Sequence, residues 1–343
     1  MKKKVLLKDV AEYVGVSTAL VSYVLNNKEK QARVGNEIAK KIRKAAADLN
    51  YQPNLIAKSL QSGRTNTIGL IVADISNPFF SSIARIIEDE AMRQGYVVIF
   101  GSSDESPERS MRLIDVFSNR GVDAFIIAPS EDAERQIKSL QRQKVPVVLI
   151  DRYFQNIQSD YVIINNHDSA YNAVEHLIRN GCRRIAMMAY DTRLEHMQQR
   201  ISGYRQALKD NGIEFRESWL PRVSYKDVAN QVDGYIKALT QPGLKVDGFF
   251  FATNTLAVES LKPLTRMGIR IPDDLAIVSF DESDAFDLFY PPVTYVSQSL
   301  DAIGKGAVDL ALARILDKKK KPEQLIIASK LVIRESSIRK RSK

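Results

Sequence analysis

The sequence predicts an all-α helix-turn-helix head followed by a larger α/β body with parallel sheets. Residues 6–26 have the spacing of two short helices joined by a tight turn. From Ile68 onward, short apolar runs alternate with amphipathic helical stretches, which is typical of parallel strands covered on both faces. At 343 residues the chain is long enough for two or three domains.

The head begins with apolar residues at helical spacing, which define one face on each of two helices. These residues are Val10, Val14, Val21 and Val24. Gly15 stands where the turn needs a residue that tolerates a positive φ, and Ser17 can cap the second helix. The second helix, Thr18–Leu25, would then lie along a major groove. We therefore interpret this segment as DNA-binding rather than as an ordinary helical hairpin.

A third helix and a short linker complete the amino-terminal part. Apolar residues recur at helical spacing over Asn36–Leu49, which predicts the third helix. A turn at residues 50–54 leads to Leu55–Gln61, which ends at Ser62-Gly63. A helix this short is not stable alone in water, so its order must depend on what it packs against. We predict a head over residues 1–50 and a hinge-helix linker over residues 51–64.

Charge is distributed unevenly along the chain. Residues 1–64 carry 13 Lys and Arg against 5 Asp and Glu, so +8 of the formal net charge of +9 lies there. Residues 65–317 carry a net charge of −7. A basic head on an acidic body is typical of a module that approaches the phosphate backbone of DNA. We interpret the lysine run at 318–321 as a solvated loop between a helix and a strand rather than as a second nucleic-acid contact.

Cysteine content and hydropathy restrict the compartment. Cys182 is the only cysteine, so no intramolecular disulfide can form and a reducing cytosol is expected. The Lys2–Lys4 cluster precedes only three apolar residues, which does not resemble a secretory signal. No stretch approaches the roughly 20 apolar residues of a membrane span. We expect a cytoplasmic protein without membrane contact.

The body contains eight apolar runs that predict buried strands. They are Ile68–Ala73, Tyr96–Phe100, Ala124–Ala128, Val145–Ile150, Tyr161–Ile164, Ile185–Ala189, Gly248–Ala252 and Leu275–Phe280. With helical stretches between them, these runs could form one large sheet, a barrel or two sheets. We favour two sheets because ligand-binding α/β proteins use a cleft at the carboxyl ends of their strands.

A series of motifs extends over nearly the whole chain. They include Asp9-Val10-Ala11, Gly15-Val16-Ser17, Asn50-Tyr51-Gln52-Pro53-Asn54, Ala57-Lys58-Ser59-Leu60, Asn77-Pro78-Phe79-Phe80, Ile271-Pro272-Asp273-Asp274-Leu275 and Val278-Ser279-Phe280-Asp281. In order and spacing they resemble the LacI/GalR family of bacterial transcriptional regulators. The resemblance implies a body of two subdomains like those of periplasmic sugar-binding proteins. Three crossings are expected near residues 165, 293 and 325, which gives an N-subdomain of about 65–164 and 294–324 and a C-subdomain of about 165–293 and 325–343.

Roles in the head follow from the faces of its second helix. The residues that point outward and would read bases are Thr18, Ala19 and Tyr23, whereas Ser17, Ser22, Asn26 and Arg33 would hold phosphates. Many relatives carry Arg where this chain has Tyr23. A tyrosine cannot form the bidentate contact with guanine that an arginine forms, so the operator half-site should differ at that base. Simple solvation is the alternative for each polar residue.

The hinge segment carries one specific prediction. In the family, the leucine that matches Leu60 is wedged into the minor groove at the operator centre and kinks the DNA. Ala57 and Leu60 share a helix face here, as that role requires, and Lys58 lies beside them. The alternative is that Leu60 packs against the body or against its dimer mate.

The resemblance also places polar strand-end residues near an effector cleft. They are Asp74, Asn77, Phe79, Asp104, Asp151, Arg152, Arg200, Asn254 and Asp281. Carboxylates, an arginine and an aromatic face suit a sugar or sugar derivative. Asn254 stands where relatives usually have Asp, so the ligand should differ from a simple neutral hexose or bind more weakly. A phosphorylated sugar or a nucleobase stays open.

The resulting prediction is a repressor that binds a palindromic operator on double-stranded DNA as a homodimer, with a tetramer possible, under control of a small-molecule effector. The alternative is a cytoplasmic sugar- or nucleobase-binding protein whose DNA role is activation or is controlled by a partner protein. A transport protein is disfavoured by the basic head. No phosphate-binding glycine loop, metal-ligand cluster or nucleophile elbow points to an enzyme, a cofactor or a metal. The pair His167 and Asp168 is better explained as a helix amino terminus than as a catalytic pair.

Overall fold

In a computed structural model, residues 5–52, 63–241 and 245–339 are described. The chain forms two compact units, Met1–Thr65 and Asn66–Lys343. The described helices are α1 Leu7–Val14, α2 Thr18–Leu25, α3 Asn36–Asp48, α4 Pro78–Arg93, α5 Pro107–Asn119, α6 Glu134–Arg142, α7 Asn166–Arg179, α8 Glu195–Asp210, α9 Val228–Thr240, α10 Asn254–Arg266, α11 Ala285–Leu288 and α12 Leu300–Leu316. The strands are β1 Thr67–Val72, β2 Val97–Ser102, β3 Ala124–Ile127, β4 Val147–Ile150, β5 Asp160–Ile164, β6 Ile185–Tyr190, β7 Arg222–Val223, β8 Gly248–Phe251, β9 Ala276–Phe280, β10 Thr294–Gln298, β11 Gln324–Ile327 and β12 Ser329–Val332.

The head is a three-helix bundle around a small apolar core. Gly15 ends α1 with a φ of 75°, the left-handed conformation that the sequence predicted for the turn. The Ser17 hydroxyl oxygen accepts a hydrogen bond from the Leu20 amide at 3.2 Å, which caps α2. The buried core comprises Val10, Ala11, Val21, Val24, Ala39, Ile42, Ala45 and Ala46. The predicted helix-turn-helix is therefore confirmed.

The body is built on two six-stranded sheets covered by helices. The first sheet has the order β11-β5-β4-β3-β1-β2, and all its neighbouring strands are parallel. The second sheet has the order β12-β10-β9-β8-β6-β7 and is parallel except for the antiparallel pair β10 and β12. We call the parts built on these sheets the first lobe and the second lobe. The predicted two-sheet α/β body is confirmed.

The chain passes between the lobes after β5, after β10 and between β11 and β12. The sequence predicted the second passage near residue 293, but Thr294–Gln298 pairs with β9 in the second sheet. It predicted the third near residue 325, but Gln324–Ile327 pairs with β5 in the first sheet. Both strands are only partly apolar, with alternating burial, so a search for continuous apolar runs misses them.

Helix starts in the body follow the strand ends closely and use side-chain caps. The Asn77 side chain accepts from the Phe79 amide at the start of α4, and Pro78 follows it as the first helical residue. Thr253 caps α10 in the same way. Asn165 caps α7 by accepting from the Asp168 amide at 3.1 Å. In the described part of the chain, no helix is both long and apolar enough to cross a bilayer.

Candidate functional site

The outward face of α2 is the first candidate surface. Thr18 and Ala19 are exposed, and the Tyr23 ring is 45% exposed although it lies between buried residues. An aromatic ring that stays half in water, with no ring or hydrogen-bond partner among the described residues, is available to a flat ligand surface such as a base-pair edge. The geometry thus leaves the three residues predicted to read bases free to do so.

The residues predicted to hold phosphates surround this face. The Asn26 side-chain amide donates to the Ser22 carbonyl at 2.9 Å and lies 3.3 Å from the Ser22 hydroxyl oxygen. Arg33 is exposed with a φ of 51°, and within the described residues its guanidinium has no ion-pair partner. Ser17 remains able to donate through its hydroxyl hydrogen, because the cap uses only its oxygen. The hinge residues Ala57, Lys58 and Leu60 lie outside the described residues.

A cavity of about 100 Å³ lies between the lobes, at the carboxyl ends of the strands of both sheets. Its lining consists of Asp74, Asn77, Phe79, Phe80, Glu105, Asp151 and Arg152 from the first lobe and Tyr190, His196, Arg200, Tyr225, Thr253, Thr255 and Asp281 from the second. Because opposite lobes supply the two halves of the lining, a ligand bound here would hold the lobes together.

Arg152 and Glu105 form a bidentate ion pair within this lining. The Nη1 and Nη2 atoms of Arg152 each lie 2.7 Å from a Glu105 carboxylate oxygen. The same guanidinium donates through Nε to Asp151 at 3.2 Å. Burial opposes the charge on Arg152, but pairing with Glu105 outweighs it and raises the pKa of the guanidinium. Arg152 is therefore charged, and Nε, Nη1 and Nη2 each already donate a hydrogen bond.

Arg200 is buried in the part of the cavity lining that the second lobe supplies. Its Nε donates to the Asn166 side chain at 2.8 Å and its Nη1 to the Ala252 carbonyl at 2.7 Å. Its guanidinium carbon lies 3.6 Å from the centre of the Phe280 ring, and Asp281 Oδ2 is 3.9 Å from Nη1. Burial lowers the pKa of Arg200, and the neighbouring carboxylates oppose that shift. The side chain is fixed in place by backbone, amide and ring together.

Asp151 and Asp281 occupy equivalent positions in the two lobes. Each follows the last residue of a strand, β4 or β9, and has a positive φ, 63° and 62° respectively. Burial raises the pKa of both carboxyl groups. The Gln298 amide donates to Asp281 at 2.6 Å. Buried carboxyl groups on a strained backbone are costly for a fold and cluster at functional sites, which favours a binding role.

Aromatic rings and one imidazole complete the lining. Tyr190 and Tyr225 are stacked with their ring centres 4.2 Å apart, and burial raises the pKa of Tyr190 to about 12. His196 is 4% exposed, and its buried Nδ1 has no hydrogen-bond partner in the described part of the chain. Burial, together with Arg152 and Arg200, holds the pKa of His196 well below its usual range. A neutral imidazole with a free nitrogen is thus presented beside the cavity.

Seven of the nine residues predicted for the cleft line it, and two do not. Asp104 is exposed and pairs with Arg109, while the next residue, Glu105, turns inward. Asn254 is buried, and its side chain donates to the Glu282 carbonyl at 3.1 Å and accepts from Thr255 at 3.3 Å. The Asp-to-Asn difference therefore lies behind the cavity wall rather than on its surface.

Seven residues of the lining were not predicted from the sequence. They are Phe80, Glu105, Tyr190, His196, Tyr225, Thr253 and Thr255. Most stand within a few residues of a strand end, which is a signal that could have found them. Tyr225 follows the two-residue strand β7, which has no apolar run to reveal it.

Comparison with known proteins agrees with this geometry. Residues 6–54 match the family model for bacterial regulatory proteins of the lacI family, and residues 174–337 match a periplasmic binding protein-like domain. The chain is 32% identical over 331 residues to a ribose operon repressor of Halalkalibacterium halodurans, covering 96% of each protein. It is 30% identical over 332 residues to the transcriptional repressor PurR of Vibrio campbellii, covering 96% of this chain and 98% of that one.

The structure also resembles that of the lac repressor dimer bound to operator and the anti-inducer ONPF. The TM-score is 0.87 at 24% identity, over 98% of this chain and 100% of that one, which is a likeness of fold. With a full-length relative at 32% identity and a matching head, the family is established. This chain belongs to the lacI family of bacterial regulatory proteins and is a DNA-binding transcriptional regulator.

Proposed function

We propose that this regulator represses transcription from a palindromic operator as a homodimer, and that an uncharged effector with several hydroxyl groups controls it from the cleft. The head supplies the DNA contact through the exposed face of α2 and its net positive charge. Thr18, Ala19 and Tyr23 read bases, and Ser17, Ser22, Asn26 and Arg33 hold phosphates. The hinge segment inserts Leu60, with Ala57 and Lys58 beside that residue, into the minor groove. Such a protein works in the cytoplasm, by binding rather than by catalysis.

Dimerisation is supported by the open edge of the first sheet. β2 is an edge strand on which Val97 is 64% and Phe100 is 61% exposed, and Met92 of α4 is exposed nearby. An apolar edge strand in water invites pairing, so native proteins cover it. A second copy of the chain related by a two-fold axis would cover this edge. It would also place two heads on the two halves of a palindrome.

The charge of the cleft carries the proposal for the effector. Its lining contains four carboxylates, Asp74, Glu105, Asp151 and Asp281, but only two cations. Each cation already has a carboxylate beside it: Glu105 pairs with Arg152, and Asp281 Oδ2 lies 3.9 Å from Arg200 Nη1. The amide groups at the starts of α4 and α10 are capped by Asn77 and Thr253. A phosphorylated sugar would thus meet a lining that is richer in carboxyl groups than in cations.

The same lining suits an uncharged sugar. Ionised carboxylates accept hydrogen bonds from hydroxyl groups, and the rings of Phe79, Tyr190 and Tyr225 offer apolar faces for the C–H side of a sugar. The unpartnered Nδ1 of His196 can accept or donate one more hydrogen bond. One full-length relative is a ribose operon repressor, which is consistent with this class of ligand.

The proposal is tested by thermal denaturation of the full-length protein with neutral pentoses and hexoses, sugar phosphates and purines. A ligand at about 100 times its Kd stabilises the folded state by about 2.7 kcal/mol, enough to raise the Tm by several degrees. We expect stabilisation by a neutral sugar and none by its phosphate. Asp281→Asn should abolish the shift, whereas Asp309→Asn, an exposed site on α12, should preserve it.

Stabilisation only by sugar phosphates or purines would contradict the proposed effector class. No change in Tm with any of these ligands would instead favour the alternative, a regulator controlled by a partner protein. DNA binding is tested separately by selecting duplexes from a random pool with the full-length protein. A palindromic consensus is expected, and a single asymmetric site would contradict the dimer.

A further inference from the structure

One loop of the body carries charge that the cleft does not explain. Residues 317–323 connect α12 to β11 at the amino-terminal edge of the first sheet. Hydrogen bonds to Arg314 and Asp160 hold the loop in place. Asp160 accepts from Arg314 Nε at 2.8 Å and Nη2 at 2.9 Å, and from the Glu323 amide at 2.8 Å. Arg314 also donates to the Lys320 carbonyl. This ordered loop therefore presents its lysines from a fixed base.

Four ammonium groups on this edge have no ion-pair partner within the described part of the chain. Three belong to Lys318, Lys319 and Lys321, whereas Lys320 pairs with Glu323 at 2.8 Å. The fourth belongs to Lys144, which precedes β4 and lines the same surface depression as Lys318. We call Lys144, Lys318, Lys319 and Lys321 the lysine flank.

Helix capping does not account for the lysine flank. A lysine after a helix end is favoured by the helix dipole, but that effect falls off within the last turn. Lys319 and Lys321 stand beyond α12, which ends at Leu316. Four neighbouring cations without ion-pair partners among the described residues repel each other. Such a concentration of positive charge favours an anionic partner.

The position of the lysine flank indicates which partner. β1 begins at Thr67, directly after the head unit ends at Thr65. The linker therefore enters the body at the amino-terminal ends of the strands of the first sheet, where residues 317–323 also lie. In the sheet order, β11 is the edge strand opposite to β2. At about 4.8 Å between neighbouring strands, the edge strands β2 and β11 lie roughly 24 Å apart. If β2 forms the dimer contact, the lysine flanks of the two copies face outward, away from the two-fold axis.

In place of the sequence-based interpretation of the run at 318–321 as a solvated loop, we propose that the lysine flank binds backbone phosphates of duplex DNA on the outer sides of the operator half-sites. The inference rests on the proposed dimer and operator. It makes the body a second, sequence-independent contact that adds affinity without adding base reading.

The test compares two duplexes that carry the selected operator. One ends close to the half-sites, and the other extends about one helical turn further on each side. The flank variant replaces all four lysines of the lysine flank by glutamine in the full-length chain. The control variant replaces four exposed lysines of the second lobe by glutamine, namely Lys209, Lys226, Lys245 and Lys330. Affinity is measured by fluorescence anisotropy over a series of salt concentrations.

The wild type and the control variant should bind the long duplex at least about tenfold more tightly than the short one, and with a steeper salt dependence. The flank variant should bind both duplexes equally and retain wild-type affinity for the short one. Its salt slope on the long duplex should be lower by about 2 or more, because each lost phosphate contact removes about 0.9.

Equal affinity of the wild type for both duplexes would overturn the inference. So would a flank variant that prefers the long duplex over the short one by the same factor as the wild type. A loss that is the same on short and long duplexes would also overturn it, because flanking DNA would then play no part. Failure of the wild type to bind any duplex would instead contradict the proposed function itself, so the two failures are distinguishable.

Discussion

Arg193 and Glu131 join the two lobes at the rim of the cleft: Arg193 Nε in the second lobe lies 2.6 Å from Glu131 Oε1 in the first. The Thr192 hydroxyl donates to the other Glu131 oxygen at 2.6 Å, and Arg193 Nη2 lies 2.9 Å from Asp132 Oδ1. A single carboxylate of the first lobe thus accepts from two consecutive residues of the second. We call this contact the rim link.

Loss of the rim link should weaken the closed arrangement of the lobes. Burial acts to raise the pKa of Glu131, but the Thr192 and Arg193 hydrogen bonds outweigh it, and the pKa is lowered. The contribution of the ionised group is therefore complete above the usual carboxylate range and is lost as pH falls through the lowered pKa. Glu131→Gln should reduce effector affinity at pH 7 by up to about fivefold, the scale of an exposed ion pair.

Calorimetric titration of the effector measures this change. The affinities of the wild type and Glu131→Gln should approach each other as pH falls below the usual carboxylate range, and Glu134→Gln on α6 serves as the matched control. Equal affinities of the wild type and Glu131→Gln at pH 7 would show that the rim link plays no part in closure.

His196 should make the folded state sensitive to mild acid. Because its pKa is held well below 6.5 in the fold, the unfolded chain binds a proton there first as pH falls. The free energy of unfolding should therefore be constant above about pH 6.5 and decrease below it, by up to about 1.4 kcal/mol per pH unit. His176, whose pKa burial also lowers, adds a second contribution.

Urea denaturation of the wild type and His196→Gln at pH 7 and pH 5.5 measures this dependence. The variant should lose less stability between the two pH values than the wild type, with only the His176 contribution left. An equal loss in both proteins would contradict a buried neutral His196.

Tyr23 should determine one base of the operator. Tyr23→Arg provides the bidentate donors that pair with guanine O6 and N7, a contact that discriminates by about 1–3 kcal/mol. The preferred half-site of the variant should change to guanine at a single position. Tyr13→Arg adds the same charge to an exposed site on α1 and should leave the consensus unchanged. Selection from random half-sites measures both, and an unaltered consensus for Tyr23→Arg would remove Tyr23 from the base-reading set.

Leu60→Ser should reduce operator affinity by at least about tenfold, because the wedge that unstacks the central base step is lost. The Tm of the protein and its affinity for non-operator duplex should stay at wild-type values. Unchanged operator affinity would contradict the wedge and favour packing of Leu60 against the body or a second copy.

The head and the alternation of strands and helices could be predicted because their signals are local. Gly15 and Ser17 act through their own backbone and cap, and the buried parallel strands are continuous apolar runs. Strands β10 and β11 alternate in burial, so the passages between lobes were misplaced by a few residues.

The residues that line the cleft could be predicted only in part, because the hydrogen-bond and ion-pair partners of its polar groups come from distant parts of the sequence. Two adjacent carboxylates follow β2, and nothing local distinguishes Asp104, which pairs with Arg109, from Glu105, which reaches Arg152. Asn254 follows a strand end like the lining residues, but the Glu282 carbonyl holds its amide behind the wall. These outcomes depend on residues 5 to 47 positions away in sequence.

Control of DNA binding by an uncharged ligand in the cleft requires that operator and ligand change each other's affinity, which one thermodynamic cycle measures. Operator affinity of the full-length protein is measured with and without the neutral sugar that stabilises it, and sugar affinity is measured with and without operator. We expect the same factor in both directions, about 5- to 150-fold, and a factor of one for Asp281→Asn at the same sugar concentrations. Operator affinity that is unaffected by a saturating sugar would contradict control of DNA binding from the cleft.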